Sequence, residues 1–342
     1  MVPHLALGVA VLIGGVGLFL IGFAVHAILQ EYRKDRVPAV LYHHFVSKQK
    51  IDEGEVSNCD PVYFCYDTAF DEQLNYLHQE GYTTISLNEF LAFQDGQKTL
   101  PAKPIILTFD DGFMSNYLYA FPILKKYGMK ATIFATVEQD SRNFKKYAAV
   151  DVPLTRDQMI EMSEYGISIE SHSMTHRYLS DLEPEVVRWE LEESRRLLEN
   201  LLRRPVRFIA IPSGAYSRAV KRAVKEAGYY AAFCMSKGTN NRKSDRHALR
   251  RLVIGRDFSL EDFRRVLEPA TACYLRFTSS LQTALLFLLG PSGLDAFRKV
   301  LYGSRLGTSV IRGQLWHLVP GLVVAVLLML ALGVVVVWQE NF

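Results

Sequence analysis

The stretch IILTFDDG at residues 105–112 decides how the chain is interpreted. Its first five residues form a short, mainly apolar run typical of a buried strand, and Asp110 and Asp111 follow where that strand should end. Adjacent carboxylates at a strand end are costly unless a cation meets them. An Asp-Gly turn is the ordinary alternative, and this motif alone leaves both interpretations open.

Strand-like runs and helical patterns alternate on both sides of this stretch. The predicted strands are residues 37–41, 83–86, 105–109, 132–137, 167–170, 208–211, 229–233 and 252–254. The predicted helices are one around residues 70–77 and others at 114–127, 155–165, 183–202, 217–227 and 260–267. Such alternation predicts an α/β protein built from βα units. Six or more units favour a closed α/β barrel, in which the catalytic residues lie where strands end.

A second polar motif, SHSMTH at residues 171–176, follows another predicted strand. His172 and His176 are four residues apart, and on a helical turn this spacing would place both rings on one side, where they can share an ion. Two solvated histidines are the alternative. Together with one aspartate, the two histidines would give three protein ligands and leave a position for water, as a hydrolytic metal site requires.

Both ends of the chain are apolar. Of the 75 charged residues, 39 Lys and Arg plus 36 Asp and Glu, only Glu340 lies outside residues 30–317. Residues 5–29 and 318–338 are each long enough to cross a bilayer, so we expect transmembrane helices within 1–29 and at 318–338. A signal peptide cleaved near Ala27 is the alternative for the first. Between them we expect a catalytic domain at 30–270 and a membrane-proximal amphipathic region at 271–317. This region either covers the barrel as a last helix or lies on anionic headgroups.

The positions of the positive charges predict an orientation. Lys or Arg residues at positions 33, 34 and 36 follow the first apolar segment, and four more between 298 and 312 precede the second. Because cytoplasmic loops collect Lys and Arg, we expect an integral protein of the cytoplasmic membrane with its catalytic domain on the cytoplasmic face. The net charge of +3 excludes the basic footprint of a nucleic-acid-binding protein. Four cysteines are too few for a disulfide scaffold, and Cys59 and Cys65 either pair or are free thiols.

Over roughly residues 37–267 the chain resembles the polysaccharide deacetylases of the NodB-homology type, carbohydrate esterase family 4. TFDDG at 108–112 looks like the first family motif, and His172 with His176 looks like the motif H-[ST]-x-x-H. Residues 204–214 are similar to the third, proline-glycine motif. VPAVLYHH at 37–44 and RDFSL at 256–260 resemble the branch that deacetylates poly-β-1,6-N-acetylglucosamine. The resemblance implies a distorted (β/α) barrel of the NodB-homology type.

The resemblance also implies roles for individual residues. Asp110 would be the general base, and His43 the general acid that protonates the departing amine. Because His43 and His44 are consecutive on an extended segment, their rings should point to opposite sides, so only one can face the site. The metal ligands would be Asp111, His172 and His176. One oxygen and two nitrogen ligands suit Zn²⁺ by default and are also compatible with Co²⁺, Ni²⁺ or Fe²⁺.

The third motif departs from the family pattern. Ala210 stands where many members carry Arg, and Ser213 stands where they carry Tyr. The arginine that orients the base is therefore missing or supplied from elsewhere, and the candidates are Arg207 and Arg256. The substrate and oxyanion contacts would come from Pro212, Ser213 and Gly214, with a backbone N–H near Ser213 as the donor.

Three functions follow from these expectations. The first is a metal-dependent hydrolase that releases acetate from an N-acetylated amino-sugar polymer, similar to poly-N-acetylglucosamine, at the membrane. The second is a deacetylase of a polyprenyl-linked amino sugar. The third is an inactive carbohydrate-binding or scaffold subunit of a polysaccharide export complex, which the substitutions in the third motif leave open. The expected partners are the polymer or lipid-linked sugar, the lipid bilayer, and polysaccharide synthase or export proteins.

Overall fold

The computed structural model describes residues 15, 21–53, 63–214 and 217–280, and the chain divides into two compact units. Residues 31–272 form the larger unit, which contains every strand described below. The described parts of the other unit, at residues 15, 21–30 and 273–280, are helical. None of the described helices is both long enough and apolar enough to cross a membrane. Most of the predicted first span, the second span at 318–338 and the region 281–317 lie outside the described residues.

Parallel strands form a closed barrel in the larger unit. The strands are β1 Ala39–Tyr42, β2 His44–Val46, β3 Phe64–Tyr66, β4 Thr83–Thr84, β5 Pro104–Phe109, β6 Thr132–Ala135, β7 Ser168–Ser171, β8 Phe208–Ala210, β9 Ala231–Lys237 and β10 Leu249–Val253. The sheet order is β1-β10-β9-β8-β7-β6-β5, and the barrel closes because β1 pairs with both β10 and β5. Short β4 pairs with the first two residues of β5. All eight predicted strands are confirmed, with shifted boundaries, whereas the separate pair β2 and β3 was not predicted.

Helices connect the strands of the barrel. They are α1 Lys48–Asp52, α2 Asp67–Gln79, α3 Leu87–Gln94, α4 Phe121–Tyr127, α5 Arg142–Tyr147, α6 Arg156–Tyr165, α7 Pro184–Leu202, α8 Arg218–Glu226 and α9 Leu260–Leu267. The six predicted helices are confirmed, and the short helices α1, α3 and α5 were not predicted. The predicted helix at 114–127 includes a π-helical turn at Asn116–Ala120 ahead of α4. Pro122 near the start of α4 has no N–H to donate, which favours this irregular turn.

Strand β5 is mainly apolar because both of its faces are covered. All six residues of β5 are buried, and one apolar cluster includes Ile106 of β5, Phe134 of β6 and Phe233 of β9. A parallel sheet packed on both sides has this composition rather than an alternating one. Since all strands run in the same direction, the residues that follow β1, β5, β7, β8 and β10 gather at one end of the barrel.

Candidate metal centre

Asp110 and Asp111 follow β5 directly, and both side chains are buried. The backbone N–H of Asp110 still donates to the Tyr42 carbonyl of β1 at 3.0 Å, whereas Asp111 turns into the left-handed region with a φ of 72°. Gly112 continues the turn at a φ of 80°, and a Cβ atom there would lie 3.0 Å from Cβ of Ala135. The close approach to β6 therefore requires glycine. The turn gives the two adjacent carboxylates different neighbours.

The loop after β7 carries both predicted histidine ligands, but it is not a helical turn. Ser173 and His176 have φ angles of 67° and 61°, which a right-handed helix does not contain. The helical geometry expected from the spacing is therefore wrong, although the ring centroids of His172 and His176 do lie 4.9 Å apart. Left-handed non-glycine residues are strained and concentrate at functional sites. Among the described residues they are Asp111, Ser173, His176, Arg203 and Ser213.

The three predicted ligands meet at one point. His176 Nε2 lies 3.1 Å, and His172 Nε2 3.5 Å, from Asp111 Oδ1. Ligand atoms of a tetrahedral site with bonds of about 2.1 Å are about 3.4 Å apart, so this spacing suits a small divalent cation. Asp111 Oδ1 is buried without a hydrogen bond of good geometry. His172 Nδ1 donates to the Ala210 carbonyl at 2.7 Å, which leaves the Nε2 lone pair for a metal. The residues therefore fit the predicted ion.

Asp110 is ion-paired with a residue that the sequence patterns did not single out. Arg251 of β10 is 1% exposed, and its Nη1 and Nη2 donate to the two Asp110 oxygens at 2.6 and 2.7 Å. The Arg251 guanidinium carbon also lies 5.9 and 5.3 Å from the ring centroids of Phe134 and Phe233. Aromatic rings of the barrel core thus stabilise the same cation. The two parallel hydrogen bonds fix the plane of the Asp110 carboxylate.

The arginine that orients Asp110 therefore comes from β10 and not from the predicted candidates. Arg207 and Arg256 instead hydrogen-bond exposed polar side chains. Arg251 was missed because the strand was predicted to begin at residue 252, although β10 is Leu249–Val253. The signal that could have found it is an arginine inside an apolar barrel strand, because a buried charge at such a position needs a partner of opposite sign.

Burial and charge have opposite effects on the titratable groups of the site. Burial would raise the pKa of both carboxyl groups, but Arg251 lowers the pKa of Asp110, and the histidines beside Asp111 lower its pKa. Burial lowers the pKa of His172, whereas Asp111 overcomes burial and raises the pKa of His176. Both carboxylates are therefore ionised at neutral pH, as a general base and a metal ligand must be.

His44 points away from the metal ligands and serves the core. Its Nδ1 lies 3.0 Å from Oδ2 of buried Asp151, and its ring stacks at 4.5 Å on Phe64. The ring centroids of His44 and Phe113 are 3.7 Å apart. His44 therefore connects β2 to the segment that follows α5, and only its neighbour His43 can serve the site.

His43 is buried beside the two carboxylates. Its Nδ1 has no hydrogen-bond partner, and its ring packs edge-on against Tyr63 with centroids 5.0 Å apart. Burial lowers the pKa of His43 to about 4, although the charges of Asp110 and Asp111 act in the opposite direction. The ring is therefore neutral near pH 7. A role as general acid, which stays a prediction, requires that a proton reach His43 after the substrate binds.

The third motif lies at the same end of the barrel. Pro212–Gly214 form a short turn after β8, in which Ser213 is exposed and has a φ of 53°. Gly214 is also left-handed, and a Cβ there would overlap the Met235 side chain. Ala210, two residues before this turn, holds His172 through its carbonyl. The oxyanion and substrate contacts expected of Pro212, Ser213 and Gly214 remain predictions.

Fold and site together define an α/β-barrel protein with three convergent side chains suited to hold a metal ion and an ionised carboxylate next to them. The sequence profile of the family "Polysaccharide deacetylase" matches residues 97–232, a range that contains Asp110, Asp111, His172 and His176. YxkH of Bacillus subtilis (strain 168), assigned by name to the polysaccharide deacetylases, is 34% identical over 242 residues, which are 71% of this chain and 80% of that protein. The chain belongs to the polysaccharide deacetylase family.

Two further proteins are similar over about two thirds of the chain. The poly-beta-1,6-N-acetyl-D-glucosamine N-deacetylase of Staphylococcus epidermidis is 24% identical over 245 residues, which are 66% of this chain and 82% of that enzyme. The structure of the Streptococcus pyogenes deacetylase PplD in complex with acetate superposes with a TM-score of 0.60 at 27% identity. It covers 69% of this chain and 100% of PplD. The family resemblance and the barrel expected from it are thereby confirmed.

Proposed function

We propose that this polysaccharide deacetylase is a metal-dependent N-deacetylase that removes acetyl groups from an amino-sugar polymer similar to poly-N-acetylglucosamine. The observation that carries the proposal is the convergence of Asp111, His172 and His176 beside the ion pair of Asp110 and Arg251. The similarity to the S. epidermidis enzyme supports the choice of polymer. The acetate complex of PplD supports acetate as the released product.

The residues of the chain divide the work of an amide hydrolysis. Asp111, His172 and His176 would hold a divalent cation, with Zn²⁺ as the first choice, which when bound supplies positive charge to polarise the acetamide and to acidify water. Arg251 keeps Asp110 ionised and oriented, so a carboxylate oxygen of Asp110 can accept a proton from the attacking water. His43 is the buried group beside them that would deliver a proton to the departing amine.

The substitutions in the third motif do not favour an inactive scaffold. That alternative depended on Ala210 and Ser213. The arginine that Ala210 lacks is replaced by Arg251, which makes a buried contact to both oxygens of Asp110 from another strand. Asp110 with its arginine and the three proposed metal ligands therefore lie near the carboxyl ends of the barrel strands. These contacts support an active enzyme.

Release of acetate from defined substrates tests this proposal. Purified protein is incubated with β-1,6-linked N-acetylglucosamine oligomers, before and after treatment with a chelator and after addition of Zn²⁺. We expect acetate release that disappears on chelation and returns with the metal. A matched reaction with a polyprenyl-linked N-acetyl amino sugar separates the two substrate classes. Absence of acetate from every substrate in the presence of Zn²⁺ or Co²⁺ would contradict the proposal.

We also propose that the apolar segments at 5–29 and 318–338 hold the protein in the cytoplasmic membrane with its barrel on the cytoplasmic face. The support is the absence of formal charge in both segments and the Lys and Arg residues that flank them on the domain side. Reporter proteins fused after Phe342 test the orientation. We expect an alkaline phosphatase fusion to be active and a green fluorescent protein fusion to be non-fluorescent. A fluorescent fusion with inactive phosphatase would place the domain on the outer face.

A further inference from the structure

Helix α7 presents two polar side chains on an otherwise apolar buried face. Glu190 and Ser194 are one helical turn apart and fully buried, among Val187, Leu191 and Leu198. A buried carboxylate is expensive unless hydrogen bonds compensate it, so a glutamate on this face needs an explanation. The chemistry proposed above does not use Glu190.

Among the described residues, the hydrogen-bond donors to Glu190 all belong to the loop that carries the proposed metal ligand His176. Glu190 Oε2 accepts from the backbone N–H groups of Met174 and Thr175, each at 2.9 Å. Glu190 Oε1 accepts from the Thr175 hydroxyl. The donors are two amides and one hydroxyl, and each of them is uncharged. The carboxylate therefore acts as an anchor for residues 174–175, directly before His176.

Ser194 supports the beginning of the same loop. Its hydroxyl lies 2.9 Å from that of Ser171, which accepts from the backbone N–H of Ser173 at 3.1 Å. The hydroxyl of Ser173 in turn accepts from the N–H of His176 at 3.1 Å. Two successive positions on one face of α7 thus hold both halves of the loop.

The loop needs such support because its backbone is strained. Left-handed Ser173 and His176 each carry a conformational penalty, which persists only where the surroundings enforce it. Without the contacts to Glu190, residues 174–176 would relax, and His176 Nε2 would leave its position 3.1 Å from Asp111.

We propose that Glu190 is a positioning residue that holds the left-handed loop before His176 and thereby sets the affinity of the site for its metal. The part of this inference that concerns metal affinity rests on the proposed function. Partners that orient metal ligands typically change metal affinity about 10–100-fold when they are removed. We expect an effect of this size from Glu190.

A second buried carboxylate provides the matched control. Glu170 of β7 is 1% exposed, and its Oε2 accepts from the backbone N–H groups of Arg207 and Phe208 at 2.8 and 3.0 Å. Glu170 Oε1 also accepts from the Ser168 hydroxyl at 2.8 Å and from Arg204 Nη1 at 3.3 Å. The two glutamates therefore share the contact with two consecutive amides and one hydroxyl, and Glu170 differs by its ion pair with Arg204. The segment held by Glu170 carries no predicted metal ligand.

The test compares Glu190→Gln with Glu170→Gln by two measurements. In metal-free protein, amide hydrogen exchange should rise at residues 173–177 in Glu190→Gln and at 206–209 in Glu170→Gln. In competition with a chromophoric chelator, the Zn²⁺ dissociation constant should rise about 10–100-fold in Glu190→Gln and less than about threefold in Glu170→Gln. Thr175→Val, which removes only the hydroxyl contact, should produce a smaller change in the same direction as Glu190→Gln.

The outcomes separate this inference from the proposed function. Unchanged exchange at residues 173–177 in Glu190→Gln, or the same change in Zn²⁺ affinity in both glutamine variants, would overturn the inference alone. Wild-type protein that binds neither Zn²⁺ nor Co²⁺ would overturn the proposed function and, with it, the metal part of the inference. The inference would be supported if exchange rises at residues 173–177 only in Glu190→Gln and at 206–209 only in Glu170→Gln, and if Zn²⁺ affinity falls only in Glu190→Gln.

Discussion

Asp110 and Asp111 are adjacent in sequence and equally buried, yet their surroundings differ. Asp110 contacts Arg251, a fixed cation of the barrel wall, through two hydrogen bonds. Asp111 is the next residue and has a left-handed backbone, and its side chain lies against the imidazoles of His172 and His176. A carboxylate whose two oxygens are both held by a guanidinium is poorly placed to ligate an ion. The comparison shows how one change in backbone direction gives two identical side chains different partners.

The largest effect is expected from a change beside Asp111. His176→Ala removes one of three ligands, so metal content should fall from about one ion per chain to nearly zero, and acetate release should become undetectable. The fold should survive because His176 lies in a loop, outside the strands and helices of the barrel. Metal analysis after dialysis and thermal unfolding measure both points, with exposed His78→Ala as the control. Stoichiometric metal with normal turnover in His176→Ala would refute the ligand assignment.

A smaller effect is expected from removing the ion-pair partner of Asp110. Arg251→Met leaves Asp110 buried without a counter-charge, which should lower the free energy of unfolding by about 3–5 kcal/mol. Adding Asp110→Asn to that variant should recover much of the loss, because no unpaired charge then remains. Urea unfolding of the two single variants and the double variant measures the coupling between these residues. Additive losses would mean that the ion pair contributes little to stability.

The pH dependence of stability tests the burial of His43, which lies beside both carboxylates. Its pKa is lowered to about 4 in the folded state, against about 6.5 in an unfolded chain. The unfolded state therefore binds more protons between these values, so stability falls as the pH decreases from about 6.5 to 4, by up to about 3 kcal/mol.

The measurement for this prediction is urea unfolding of metal-free protein at several pH values. His43→Gln should flatten the pH dependence over that interval, because the glutamine side chain does not titrate. His78→Gln, at an exposed position, serves as the control variant. An unaltered slope in His43→Gln would show that another group causes the loss of stability.

The parts of the site that could be predicted are those with local sequence signatures. Asp110 and Asp111 end a clear apolar strand, and the two histidines follow another, so their meeting at one end of a parallel barrel follows from topology. Arg251 depends instead on a contact across 141 positions in the sequence. No local pattern specifies such a pairing, and the strand that carries Arg251 was given a boundary one residue too late to include it.

The conformation of the histidine loop was predicted wrongly for a different reason. A spacing of four residues is compatible with a helical turn, but left-handed Ser173 and His176 bring the rings together by another path. Few non-glycine residues occupy that region, even though histidine is enriched there, so the identities of Ser173 and His176 do not reveal it. The support comes from Glu190 of α7, which lies 14 positions after His176 and is recognisable only once the helix is packed.

Metal analysis of Asp110→Asn beside Asp111→Asn tests the central claim, that the two adjacent carboxylates have separate roles, most directly. Both variants are loaded with Zn²⁺, dialysed, and assayed for bound metal and acetate release. Asp110→Asn should retain about one ion per chain while its activity falls about 10²–10⁴-fold, the usual contribution of a general base. Asp111→Asn should lose both metal and activity. Metal loss in Asp110→Asn with retention in Asp111→Asn would contradict the account and reverse the two assignments.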